Sequence, residues 1–167
     1  MNLITATAIY VGDTATESGT RTMQFHIKGT GNKPVDIPVN LVPSFAAGDT
    51  CVPGAFETGK TILINGRLYP QENGPMYVVP TQPLQAVPAS TKLNQILIAG
   101  GCWLPNEQRR EDALNFLLLV GTAPPQKSIG HTWQDTLVFR MESWKDDAER
   151  LKKFLYKGRQ LCLGGSL

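Results

Sequence analysis

Two stretches of the chain carry one pattern: ETGKTILINGRL at 57–68 and YKGRQLCLGGSL at 156–167. Gly59 matches Gly158, Lys60 matches Arg159, Ile62 and Ile64 match Leu161 and Leu163, Gly66 matches Gly165 and Leu68 matches Leu167. The correspondence extends back to residue 35 without a gap, at a shift of 99 positions, through Asp36/Asp135, Val39/Val138 and Ser44/Ser143. A repeat of this period in 167 residues leaves room for two copies of one small module, each with a modest core of its own.

The elements around the repeat come in the same order twice. LITATAIYVG (3–12), TMQFHIKG (22–29) and VDIPVNLV (35–42) read as strands, with Met23, Phe25 and Ile27 on one face and Pro38 favouring an edge or a bulge. A loop rich in Gly and Pro (43–59) leads to a hairpin, KTILINGRLYP and PMYVVP, split by QENG. Turns are expected at DTATESGT (13–20) and TGNKP (30–34). The second half opens with strands LNQILIAGG (93–101), ALNFLLLVGT (113–122) and QDTLVFRMES (134–143), joined through LPNEQRRED and APPQKSIGHTW.

A helix then replaces the loop, WKDDAERLKKFLYKG (144–158), with Ser143 as its cap, acids at its start and lysines at its end. Leu151, Phe154 and Leu155 make its buried stripe, and Asp146–Arg150 and Glu149–Lys153 are i,i+4 pairs.

Three strands, a helix or loop and a final hairpin form the order of an oligonucleotide-binding (OB) barrel. The fold expected is therefore mostly β: two tandem five-stranded Greek-key barrels, the second carrying a helix between its third and fourth strands. Residues 1–84 make the first module, 85–92 a Pro- and Ala-bearing linker, and 93–167 the second module. The second copy has no segment matching PMYVVP, so its barrel is expected to lack its last strand. An uncovered strand edge invites pairing with another chain, which makes a homodimer or higher homo-oligomer the expected state.

SWKDDAERLKKFLYKGRQLCLGGSL (143–167) resembles the bacterial single-stranded DNA-binding protein family: an aromatic, a helix ending Lys–Gly, then an alternating strand ending Gly–x–Leu. LNQILIAG (93–100) is similar to the family's opening strand, and in the first copy Phe45 holds the position of Trp144. The family's acidic tail and long basic hairpin have no counterpart here, which suits a divergent member. The resemblance implies non-specific binding of single-stranded DNA in replication, recombination or repair, in the cytoplasm, with replication or repair proteins as further partners.

Such binding needs flat apolar faces for bases and cations for phosphates. The resemblance makes Trp144 a base-stacking residue, with Phe45 as its first-copy equivalent; core anchoring is the alternative for each. Trp133 is a second platform or a lid over the core. Tyr69 and Tyr77 flank the QENG turn, as a cross-strand pair or a stacking surface. Trp103 is expected to pack between the lobes. Arg67 and Lys60 in the first copy, and Arg140 and Arg159 in the second, are the phosphate partners.

Charge and motifs exclude other classes. Residues 1–92 carry six basic and six acidic side chains, and residues 93–167 carry ten and eight, so no strongly basic field exists. Cys51, Cys102 and Cys162 are widely spaced without a CxxC, so neither a metal site nor a disulfide framework is expected, and the thiols are expected buried or half-buried. FLLLV is too short to span a bilayer. No catalytic motif and no cofactor loop is present: TGK at 58–60 is not GxxxxGK[ST], so the chain is read as a binding protein rather than an enzyme. The alternative function is an OB scaffold for protein assembly.

Overall fold

A computed structural model describes residues 1–15, 21–29, 35–52, 54–69, 75–103, 113–121 and 136–167. Residues 16–20, 30–34, 53, 70–74, 104–112 and 122–135 lie outside the described residues, and with them Trp133 and most of the expected turns and loops; of the turn expected at 13–20, residues 13–15 continue the first strand instead. The described chain divides into two compact units, one holding residues 2–97 with 164–167, the other residues 98–163 with Met1.

The first unit contains β1 (Asn2–Ala15), β2 (Arg21–Lys28), β3 (Asp36–Leu41), β4 (Thr61–Tyr69), β5 (Met76–Pro80) and β6 (Gln85–Ala86). β1 pairs with β2, β2 with β3, β3 with β5 in parallel, β5 with β4, and β4 with β1, which closes a five-stranded OB barrel. The alternation in the sequence supplies its interior: Ile4, Ala6, Ala8 and Tyr10, then Met23, Phe25 and Ile27, then Ile62, Ile64 and Leu68, all buried. Val11 is an extra residue between the Tyr10/Phe25 and Gly12/Gln24 pairs. This bulge bends β1 so that one long strand serves both β4 and β2.

Pro38 pairs with His26 on one side and precedes the stretch, Val39 to Leu41, that β5 covers on the other. Its missing N–H thus falls where β3 is still an edge. The expected linker meets a strand at its start. Gln85 and Ala86 pair with Leu63 and Ile62, Val87 N–H donates to Thr61 O at 2.9 Å, and Leu84 is buried. Residues 81–87 therefore continue along β4 where β5 leaves off.

The second unit is built from β7 (Asn94–Trp103), β8 (Ala113–Gly121), β9 (Thr136–Trp144), α1 (Lys145–Lys152) and β10 (Gln160–Gly165), except that residues 94–97 of β7 and 164–165 of β10 fall in the first. β10 pairs with β7, β7 with β8 and β8 with β9. Among the described residues no pairing joins β9 to β10, so the arc stays open where the first unit has β5. Cys102, Leu114, Phe116 and Ala148 form its core, with Met141, Leu151, Leu155, Leu161 and Leu163 packed against them.

Several helix expectations are corrected. The helix stops at Lys152 rather than continuing to 158, and Trp144 rather than Ser143 is its N-cap, without a side-chain cap hydrogen bond. Lys145 enters with φ of 50°, a sharp turn that a side chain tolerates at about 1–2 kcal/mol. Phe154 is not in the buried stripe but exposed. The ion pairs form at i,i+3, Asp147 with Arg150 and Glu149 with Lys152.

The duplicated turn is the closest structural echo between the units. Gly59 and Gly158 both sit at φ of 86°, a left-handed conformation that favours glycine. Gly59 N–H donates to Tyr10 O and Gly158 N–H to Cys102 O, each at 2.8 Å. Lys60 N–H donates to Glu57 O and Arg159 N–H to Tyr156 O, each at 3.1 Å. Tyr10 and Cys102 return N–H bonds to Lys60 O and Arg159 O at 2.9 and 2.8 Å. Residues 99 apart thus build the same turn.

Candidate nucleic-acid interface

Alternation along β9 sorts its side chains. Leu137 and Phe139 face the interior, while Val138, Arg140, Glu142 and Trp144 point outward. Trp144 is the last residue of that face and is 44% exposed, so part of its indole is available for a flat ligand. Arg140, four residues back on the same face, lies about 13 Å away along a strand rising roughly 3.3 Å per residue. No ion pair engages Arg140 among the described residues. An accessible ring and an exposed cation on one strand face suit a base and a phosphate a nucleotide or two apart.

Phe45 follows β3 in the first unit and is fully exposed. Its turn is held by Ser44, whose Oγ donates to Pro80 O at 2.6 Å and accepts Ala47 N–H at 3.3 Å. Ser44 ties the turn to the barrel while Phe45 projects from it. Arg67 is exposed on β4, across from Val79. Lys60 is exposed as well, but its Nζ sits 3.2 Å from Glu57 Oε2, which offsets its charge towards a phosphate.

Tyr69 and Tyr77 face each other across β4 and β5, and both are buried. The cross-strand pair is the arrangement realised, and neither ring offers a stacking surface. Trp133 lies outside the described residues.

Arg159 is half-buried because it rests on two rings. Its guanidinium carbon is 5.1 Å from the Tyr156 centroid and 5.7 Å from that of Phe154. Next to it Lys157 Nζ lies 3.9 Å over the Trp103 ring. Sequence reasoning assigned Trp103 to interlobe packing and Phe154 to the core; both are exposed. The helix ends at Lys152, so helical spacing no longer governs Phe154, and no local signal in the sequence marks that end.

The thiols divide by burial. Cys51 is buried, its thiol pushed up to about 11 by that burial, and Cys102 is shifted upward for the same reason. Cys162 is exposed, against the expectation of a covered thiol. Among the described residues no three metal-ligating side chains gather, and no helix is long and apolar enough to cross a membrane.

No protein-family model matches the chain, and no curated protein matches it. Its fold is similar to a solved structure of a deletion mutant of the single-stranded DNA-binding protein from Thermus aquaticus, with a TM-score of 0.59. That similarity covers 99% of this chain and 85% of the other at 17% identity.

Proposed function

We propose that this chain binds single-stranded DNA without sequence specificity, through base stacking and phosphate contacts. The observation that carries the reading is the outward face of β9, where Trp144 and Arg140 stand together on an OB fold. Phe45 and Arg67 serve the first unit, and Arg159 supports the second. A fold shared with a single-stranded DNA-binding protein adds weight. The protein works without a cofactor, in the cytoplasm, in replication, recombination or repair, and other proteins of those processes are its further partners. It has two modules, 1–84 and 93–167, and assembles as a homodimer or higher homo-oligomer.

Titration of fluorescein-labelled oligo(dT) at low and moderate salt tests the reading. Binding that weakens with salt and exceeds binding to duplex supports it. No binding at low salt, or equal affinity for duplex, removes it.

A second reading is an OB scaffold for protein assembly, favoured by the open arc between β9 and β10. Light scattering on nuclease-treated protein separates the two: an assembly that forms without nucleic acid, joined to no oligonucleotide affinity, selects the scaffold.

A further inference from the structure

We infer that the turn between α1 and β10, together with Trp103, is a second single-strand contact surface, absent from the equivalent turn of the first unit. This rests on the proposed single-strand function.

The two turns supply an internal control. Their backbones share the left-handed glycine and the hydrogen bonds to Tyr10 and Cys102. Their side chains do not correspond. The first has Ala55, Glu57 and Thr58 where the second has Phe154, Tyr156 and Lys157. The residue after Tyr10 is Val11, whereas the residue after Cys102 is Trp103. In the first turn Glu57 pairs with Lys60, and the local charge cancels. The ring of the first turn, Phe56, is half-buried with its centroid 6.3 Å from that of Tyr10, so the fold needs neither exposed rings nor uncancelled cations here, and packing does not account for those in the second.

Geometry explains why they project. Leu151 and Leu155 pack inward on the core that includes Cys102, and the Gly158 and Arg159 bonds pin the turn to that same residue. With the chain anchored on that side, Phe154 and Tyr156 are left 52% and 58% exposed, and Trp103 41%. Two cations rest on these rings, and neither Lys157 nor Arg159 has an ion-pair partner among the described residues. Two acids of the helix are engaged elsewhere, Asp147 with Arg150 and Glu149 with Lys152. A cation on an exposed ring puts positive charge beside a flat apolar face. A nucleotide needs both: its base takes the ring and its phosphate the cation. The flanking cation Lys153 is exposed and shares Glu149 with Lys152, and it adds to the phosphate side.

The test converts the second turn to the chemistry of the first, in the full chain: Phe154→Ala, Tyr156→Glu and Lys157→Thr together. Binding of an oligo(dT) of about 30 nucleotides, long enough to run past a single OB site, is compared for wild type, this triple variant and Trp144→Ala. The inference expects the triple variant to keep its thermal melt and to lose at least about tenfold in affinity, with a shallower salt dependence. Unchanged affinity in the triple variant, while Trp144→Ala still weakens binding, overturns the inference and leaves the proposed function standing. Wild-type protein that binds no oligonucleotide overturns both. If the triple variant melts early, Tyr156→Glu alone decides: a loss of about threefold or more supports the surface, and no loss overturns it.

Discussion

Gly66 and Gly165 hold the same place in the duplicated strand, in different surroundings. A Cβ added at Gly66 would lie 2.7 Å from Val78 Cγ1 and 2.7 Å from the Val79 carbonyl oxygen, because β5 crosses there. A Cβ added at Gly165 would meet nothing within 4 Å. In the first copy the missing side chain lets a closing strand approach; in the second copy the same glycine faces open space. The turns before these strands make the opposite comparison, with one backbone and two sets of side chains. The two copies share how each exit strand starts, while what lies beside the strand and on the turn differs between them.

The largest expected difference between the copies is steric. Gly66→Ala should lose stability near the upper end of the roughly 1–3 kcal/mol typical of overpacking, since backbone on β5 must shift. Gly165→Ala should be neutral, or stabilising by up to about 1 kcal/mol through lower unfolded-state entropy. Urea titrations of both variants measure this, and equal losses would break the comparison.

Next comes binding. Trp144→Ala should weaken oligo(dT) binding by about 1–2 kcal/mol, one stacked base on a ring that is only partly exposed. Phe45→Ala should have an effect of similar size if the first unit binds as the second does. A loss at Trp144 alone would sharpen the contrast and assign binding to the second unit.

A smaller effect concerns the ion pair of the first turn. Glu57→Gln releases Lys60, and both groups are exposed, so stability should change by less than about 0.5 kcal/mol. Affinity for oligo(dT) should rise slightly at low salt, and a fall would contradict the role given to Lys60.

The smallest effect is in the thiols. With the Cys51 thiol held near about 11 by burial, and an unfolded thiol titrating near about 8.5, the folded state keeps its proton while the unfolded state releases it. That contribution is complete below about pH 8.5 and is lost as pH rises to about 11. Cys51→Ala should flatten this part of the alkaline stability profile. A thiol reagent near neutral pH should label Cys162 first, leaving Cys51 and Cys102 slow in the folded chain.

The sequence carried much of the fold because strand alternation is a local signal. Met23, Phe25 and Ile27 could be placed on one face by spacing alone, and their burial agrees. Gly59 and Gly158 were legible as a repeated pair because a left-handed turn restricts which residue can stand there. The helix end was not legible: Leu151, Phe154 and Leu155 have helical spacing, yet the chain leaves the helix at Lys152 and the spacing ceases to apply. The site divided in the same way. Trp144 came from a motif, and its outward face from strand alternation. The Trp103–Lys157 stack joins residues far apart in sequence through a turn pinned to Cys102, and no local pattern reports such a contact.

Ultraviolet cross-linking of the full chain to oligo(dT), with the attached residues mapped by mass spectrometry, tests single-strand binding and the contrast between the turns together. The account predicts adducts at Trp144 and on the Phe154–Arg159 turn, in excess of any on the Ala55–Lys60 turn. Adducts confined to the Ala55–Lys60 turn, or no adducts at low salt, would contradict it.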